Sequence, residues 1–145
     1  MLKQISPLLQ VRDLTASVSF YGQKLGFLTG SMDGGFSVIR RDDCIIYLAQ
    51  KTKDANVTNK PARAVDDGWC NYDLHIHCER GTLDALFEEF RAKAVPMPAG
   101  FEAGPVTRPY GIRDFSVIDP DGYDIVFGEE CDMGEPEAAP HTAGI

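Results

Sequence analysis

The chain has 145 residues, 43% of them hydrophobic and 25% charged, with a formal net charge of −8. This is the size and make-up of one ordinary globular domain. The acidic balance argues against a nucleic-acid phosphate surface as partner, and no apolar run approaches membrane-spanning length. The cysteines Cys44, Cys70, Cys78 and Cys131 form no Cys-x-x-Cys spacing. They read as reduced thiols, and Met1-Leu2-Lys3-Gln4 shows no signal peptide, so a cytoplasmic location is expected.

Residues 5–11 read as an apolar strand, and Asp13 can cap the helix that follows. Leu14, Val18, Tyr21 and Leu25 fall on one face of that helix, and Gly26 stops it. A short strand, Phe27-Leu28-Thr29, leads through Gly34-Gly35 into a hairpin. Residues 51–68 are polar and aperiodic, a linker that the sequence predicts to be partly mobile. Residues 71–78 form the next strand. Gly81 or Thr82 then opens a helix with Leu83, Leu86, Phe87, Phe90 and Ala94 on one face. Residues 96–109 make a Pro/Gly-rich loop with room for one short strand. A second hairpin follows, turning at Asp119-Pro120-Asp121-Gly122, where Pro presets one φ and Gly accepts a positive one. Residues 131–145 are acidic and rich in Pro, Ala and Gly, the composition of a disordered tail.

The two halves repeat. Phe36-Ser37-Val38-Ile39 recurs letter for letter as Phe115-Ser116-Val117-Ile118, and Leu14, Tyr21 and Lys24 correspond to Leu83, Phe90 and Lys93. The pattern is βαβββ used twice, over about 4–50 and 69–129, within a single domain spanning 1–130. The expected fold is α+β: a curved mixed sheet around a cleft, with the helices on its outer face.

Strand alternation assigns the faces. Phe115, Val117, Ile125 and Phe127 should meet the helix, leaving Asp114, Ser116, Asp124 and Val126 towards the cleft. By the repeat, Ser37, Ile45 and Tyr47 should line it in the first module, with Phe36 left in the core. Tyr72, Leu74 and Ile76 should pack on the second helix, opposite Asn71, Asp73, His75 and His77. Leu9 and Val11 should pack on the first, opposite Ser6, Leu8 and Gln10. Tyr47, Trp69 and Tyr110 are candidates for stacking on planar ligand rings, and Asp73, Asp114 and Asp124 for meeting cationic groups.

Three segments carry a family resemblance. Val11-Arg12-Asp13-Leu14 with Ser17, Phe20-Tyr21 and Leu25-Gly26-Phe27 is similar to the opening motif of the vicinal oxygen chelate superfamily. That superfamily comprises glyoxalases, extradiol dioxygenases, thiol transferases and bleomycin-resistance proteins. Residues 83–90 resemble its second helix, and Arg113-x-Phe115-x-Val117-x-Asp119-Pro120-Asp121-Gly122 its closing hairpin. The resemblance implies the duplicated fold strongly and one function weakly, since the scaffold hosts both enzymes and binders.

Enzymes of the family hold a divalent cation with His, Glu or Gln from the first and last strands of each module. Counting from the motifs, those positions here are Ser6, Tyr47, Asn71 and Val126, none of them a good ligand. The resemblance therefore points to the metal-free bleomycin-resistance proteins, which act by sequestration and imply a homodimer, with Pro7 near a strand-exchange hinge. The expected function is binding of an antibiotic-like small molecule, with no cofactor, and the acidic balance suits a cationic one. The alternative is a metal-dependent glyoxalase, dioxygenase or thiol transferase using Zn, Ni, Mn or Fe. A strand slip of two or four residues would bring His75 or His77 to the site, with Glu129 as a further candidate ligand. A metal-free enzyme using His75 with Asp73 as general base is a third possibility.

Overall fold

The computed structural model describes residues 1–52 and 72–133. The linker 53–68 and the tail beyond 133, like Trp69, Cys70 and Asn71, lie outside the described residues. The first module contains β1 (Leu8–Val11), α1 (Leu14–Gln23), β2 (Leu28–Thr29), β3 (Phe36–Arg41) and β4 (Cys44–Gln50). The second contains β5 (Leu74–His77), α2 (Leu83–Ala92), β6 (Val106–Thr107), β7 (Ile112–Ile118) and β8 (Asp124–Glu130). The sheets run β1-β4-β3-β2 and β5-β8-β7-β6, the same order twice. In each, the first strand pairs parallel to the last and the remaining pairs are antiparallel.

Each helix forms where the apolar period meets a start signal. Asp13 caps α1 by accepting from Ala16 N at 3.1 Å. Gly26 takes φ +72°, in the left-handed region that favours glycine, and a Cβ there would lie 2.7 Å from Arg41 Nη1. The helices bury Leu14, Val18 and Tyr21, and Leu83, Phe87 and Phe90. They cover one face of each sheet and leave the opposite face to line a cleft. The Phe87, Phe90, Phe115 and Phe127 rings pack with centroids 5.2–6.0 Å apart, at the edge-on and stacked angles aromatic groups favour.

The hairpin tip of each module rests on the helix of the other. Tyr21 Oη donates to Asp119 Oδ2 at 2.8 Å and Ser17 Oγ to Asp121 Oδ2 at 3.2 Å. Reciprocally, Arg41 grips Glu89 on α2 through two bonds, at 2.6 and 3.0 Å. Lys24 Nζ donates to the carbonyl of Lys93, its repeat mate 69 residues on, at 2.6 Å. The sequence repeat is thus an approximate two-fold in space.

The letter-for-letter repeat is nonetheless out of phase with the structural one. Ile39 pairs with Ile46 and Ser37 with Leu48, all buried; Val117 pairs with Ile125 and Phe115 with Phe127. Ser37 therefore stands where Phe115 stands, one residue off the letter match. The two-residue turn at 42–43 is shorter than the loop at 119–123, and a one-residue offset inverts every side chain of a strand. Two expectations fall with it. Ser37 is on the helix side, 1% exposed, instead of in the cleft, and Phe36 is on the open face instead of in the core.

Candidate functional site

On the first module's open face, strand register lines up Leu8, Tyr47 and Val38 in one row, and Gln10, Ala49 and Phe36 in the next. This face is apolar and aromatic. Leu8 is 52% exposed and Val38 43%, and the Phe36 ring lies 5.4 Å from that of Tyr47. Gln10 is half-buried beside them, and its carbonyl accepts from Tyr123 Oη at 2.8 Å, tying β1 to the second module.

The matching rows of the second module are His75, Val126 and Ser116, then His77, Gly128 and Asp114. This face is polar. His75 lies flat on the strand beneath because position 128 is glycine: a Cβ there would sit 2.8 Å from His75 Nε2. That nitrogen is buried and has no hydrogen-bond partner among the described residues. Burial, then the neighbouring His77, holds the His75 pKa below the ordinary imidazole value, while Asp114 pulls it back up; His75 is a neutral imidazole at pH 7. The His75 and His77 rings lie 4.6 Å apart, and Tyr72 turns its edge to His75 at 6.1 Å. Tyr72 is thus beside the histidines and exposed, where alternation had placed it against α2.

The three acidic candidates differ in their surroundings. Asp114 is buried and gripped by Arg108, whose Nε and Nη2 approach its carboxylate at 2.8–3.1 Å. Sequence reading missed Arg108. The turn-forming Pro109-Tyr110-Gly111 was the available signal, since folding β6 back on β7 puts Arg108 on the Asp114 face. Asp73 Oδ2 accepts from Asp124 N at 2.8 Å, so this pair fastens the start of β8. Tyr110 is 68% exposed at the β6–β7 turn.

Of the four positions at which the motif count puts the family's metal ligands, Tyr47 on β4 is level with Leu8 on β1, and Val126 on β8 is level with His75 on β5. Ser6 precedes β1, and Asn71 lies outside the described residues. Neither Tyr47 nor Val126 is a good ligand, whereas His75 beside Val126 is one. Glu129 is removed from consideration by its partners. It is on the helix side, where Oε2 accepts from the backbone N–H groups of Gly81, Thr82 and Leu83 at 2.7–3.2 Å and Oε1 from Arg113 at 2.9 Å. It caps α2, whose own Thr82 makes no side-chain cap. Among the described residues, no group of three or more His, Cys, Asp or Glu side chains is placed to hold a metal ion.

Residues 3–127 match the family model of the glyoxalase/bleomycin resistance protein/dioxygenase superfamily. The chain belongs to this superfamily. Among solved structures, this superfamily member is similar to a glyoxalase/bleomycin resistance protein/dioxygenase from Nocardioides, with 21% identity, TM-score 0.64 and coverage of 96% of this chain and 91% of that one. It is similar to the bleomycin resistance determinant encoded on transposon Tn5, with 17% identity, TM-score 0.62 and coverage of 89% and 98%. It is also similar to the bleomycin-binding protein of bleomycin-producing Streptomyces verticillus, solved with copper(II)-bleomycin, with 26% identity, TM-score 0.56 and coverage of 92% and 100%. Comparison with curated proteins gave no match. No helix among the described residues is long and apolar enough to cross a membrane.

Proposed function

We propose that this superfamily member binds an antibiotic-like small molecule on its open sheet faces and acts by sequestration, without a metal. The observation that carries the reading is the register of the cleft rows. The last-strand positions where enzymes of the family place ligands hold Tyr47 and Val126, the residues level with them on the first strands are Leu8 and His75, and three of these four are aliphatic or phenolic. The same rows offer what a planar ligand with polar groups needs: the Tyr47 and Phe36 rings for stacking, and His75, Ser116 and Gln10 for hydrogen bonds. The similarity to the bleomycin-binding protein supports bleomycin as a first ligand to try.

A homodimer belongs to this reading. The exposed Leu8, Val38 and Phe36 form an apolar strip that the polar face of a second copy would cover, closing a cleft between subunits. Asp73 just before β5, Asp124 at the start of β8, and Tyr110 are proposed as its rim. A cytoplasmic location accords with the free thiols of Cys44, Cys78 and Cys131.

The test is equilibrium binding of metal-free bleomycin to the wild-type protein and to Tyr47→Ala, with mass measured in solution. Saturable binding by a dimer, weakened by Tyr47→Ala with the fold intact, is the expected result. Unchanged affinity in Tyr47→Ala would remove the open face from the reading.

One observation favours a second reading. The neutral His75, with its buried and unpartnered Nε2 beside His77, is suited to act as a metal ligand or a proton acceptor in a glyoxalase, dioxygenase or thiol-transferase type reaction. Loss of a measured turnover in His75→Ala, with ligand binding retained, would select it.

A further inference from the structure

The approximate two-fold that relates the modules leaves one junction filled and its counterpart open. In the matching rows, Gln10 of the first module corresponds to His77 of the second. Counting back from Ile46 and Ile125, which hold equivalent places in their hairpins, Cys44 corresponds to Tyr123. At the filled junction Tyr123 is buried, and its hydroxyl donates to the Gln10 carbonyl at 2.8 Å. That carbonyl is available because β1 is the outermost strand of its sheet and bonds β4 through alternate residues, Val11 O accepting from Lys51 N at 2.9 Å. Gln10 therefore turns its backbone to the free edge.

The same arrangement recurs around His77 without the tyrosine. β5 is outermost in its sheet, and Cys78 N donates to Gly128 O at 2.8 Å, so the His77 carbonyl is likewise turned to the free edge. Where the two-fold calls for a phenol ring there is Cys44, and the turn before it is shorter than the loop at 119–123. A cavity of about 530 Å³ is left, lined by Cys44 and His77 together. This is the size of a small-molecule site. His77 also belongs to the cleft row, so the cavity adjoins that face. Phe27, Ile76, Leu86 and Phe127 supply apolar walls for a ring. Asp42, Asp43 and Glu79 stand around it, and Arg41 is committed to Glu89, so an anionic ligand would be repelled. A phenol, with a pKa of about 10, stays neutral at physiological pH and keeps its proton to donate.

We propose that this cavity binds a neutral aromatic molecule carrying a phenolic hydroxyl. Its ring lies among the apolar walls and its hydroxyl donates to the His77 carbonyl, as Tyr123 donates to that of Gln10. Because His77 is shared, the molecule is held beside whatever the cleft rows bind. The inference goes beyond the sequestration reading and does not rest on it.

The experiment is titration of the full chain with p-cresol, the tyrosine side chain as a free molecule, followed by calorimetry and by methyl NMR. Saturable binding that shifts the Ile76 and Leu86 methyl signals is the expected result. 4-Methylanisole, which has the ring but no donor, should bind about three- to tenfold more weakly, the worth of one hydrogen bond. Cys44→Tyr, which supplies the ring from the chain itself, should abolish p-cresol binding. The methyl shifts are read on the wild-type protein, so they decide the matter even where Cys44→Tyr fails to fold. Absence of saturable binding would overturn the inference, as would p-cresol binding no tighter than 4-methylanisole. So would shifts confined to Val38 on the open face, or a folded Cys44→Tyr that binds p-cresol like wild type.

Discussion

Glu129 is the residue on which structural and metal-binding roles separate most cleanly, and replacing it with alanine tests which role it has. Its carboxylate is buried and accepts three backbone N–H groups at the start of α2 as well as Arg113. Gly81 and Thr82 are exposed, so water can replace the lost acceptor at their amides. Leu83 is fully buried, and its amide would be left unsatisfied at a cost of about 1–3 kcal/mol. Arg113 keeps Asp84 at 2.8 and 3.1 Å, so its guanidinium is not stranded. Together with the lost interaction between carboxylate and helix dipole, Glu129→Ala should cost about 3 kcal/mol. Glu129→Gln, which keeps one acceptor oxygen in place, should cost ~1–2 kcal/mol. Urea denaturation of the two variants and the wild-type protein measures both values. A Glu129→Ala loss below about 0.5 kcal/mol, the range of an ordinary surface change, would refute the capping argument. A weakened divalent-metal affinity in Glu129→Gln with stability unchanged would restore Glu129 as a ligand.

Gly128→Ala should force His75 off the strand beneath it and destabilise the fold by about 1–3 kcal/mol, as overpacking does; a melting temperature equal to wild type would mean that the histidine moves freely. Tyr21→Phe removes the bond to the buried Asp119 and should cost ~1–2 kcal/mol in denaturant unfolding. Arg108→Ala leaves the buried Asp114 carboxylate unpaired and should destabilise by ~3 kcal/mol, most of it recovered in Arg108→Ala/Asp114→Asn. The Arg41 hydrogen bonds hold the Glu89 pKa below the ordinary carboxylate value. The stability from this inter-module pair is therefore present above the unfolded-state pKa and lost as pH falls through the lower folded-state one. Denaturation midpoints should show wild type ahead of Glu89→Gln by about 1 kcal/mol at neutral pH, an amount kept small by solvent exposure, and the gap should close in acid.

Most of the architecture was legible in the chain. Helix period, Asp13, the Asp-Pro-Asp-Gly turn and the duplicated spacing each expressed a local rule, and the rules agreed with one another. Face assignment in the second hairpin held because Phe115, Val117, Ile125 and Phe127 alternate without interruption. It failed in the first hairpin because the identical tetrapeptide suggested a phase that the shorter turn had shifted, and Ser37 and Phe36 exchanged places. Glu129 was misread because its value lies in amides brought from residues 81–83, a contact that no strand pattern announces. Arg108 was missed for a related reason: its role appears only once β6 folds back on β7. That His75 is level with Val126 became visible only once β5 paired with β8, because the motif count fixed the strand but not its register.

Calorimetry on chelator-stripped, full-length protein tests the central claim directly, with metal-free bleomycin, copper(II)-bleomycin, and Zn, Mn, Ni and Fe(II) salts titrated in turn. Saturable binding of bleomycin that needs no added metal is the expected result, with no divalent ion held at the cleft, so that His75→Ala leaves every metal titration unchanged. A divalent ion bound once per chain and lost in His75→Ala, with bleomycin binding absent or dependent on that ion, would contradict it.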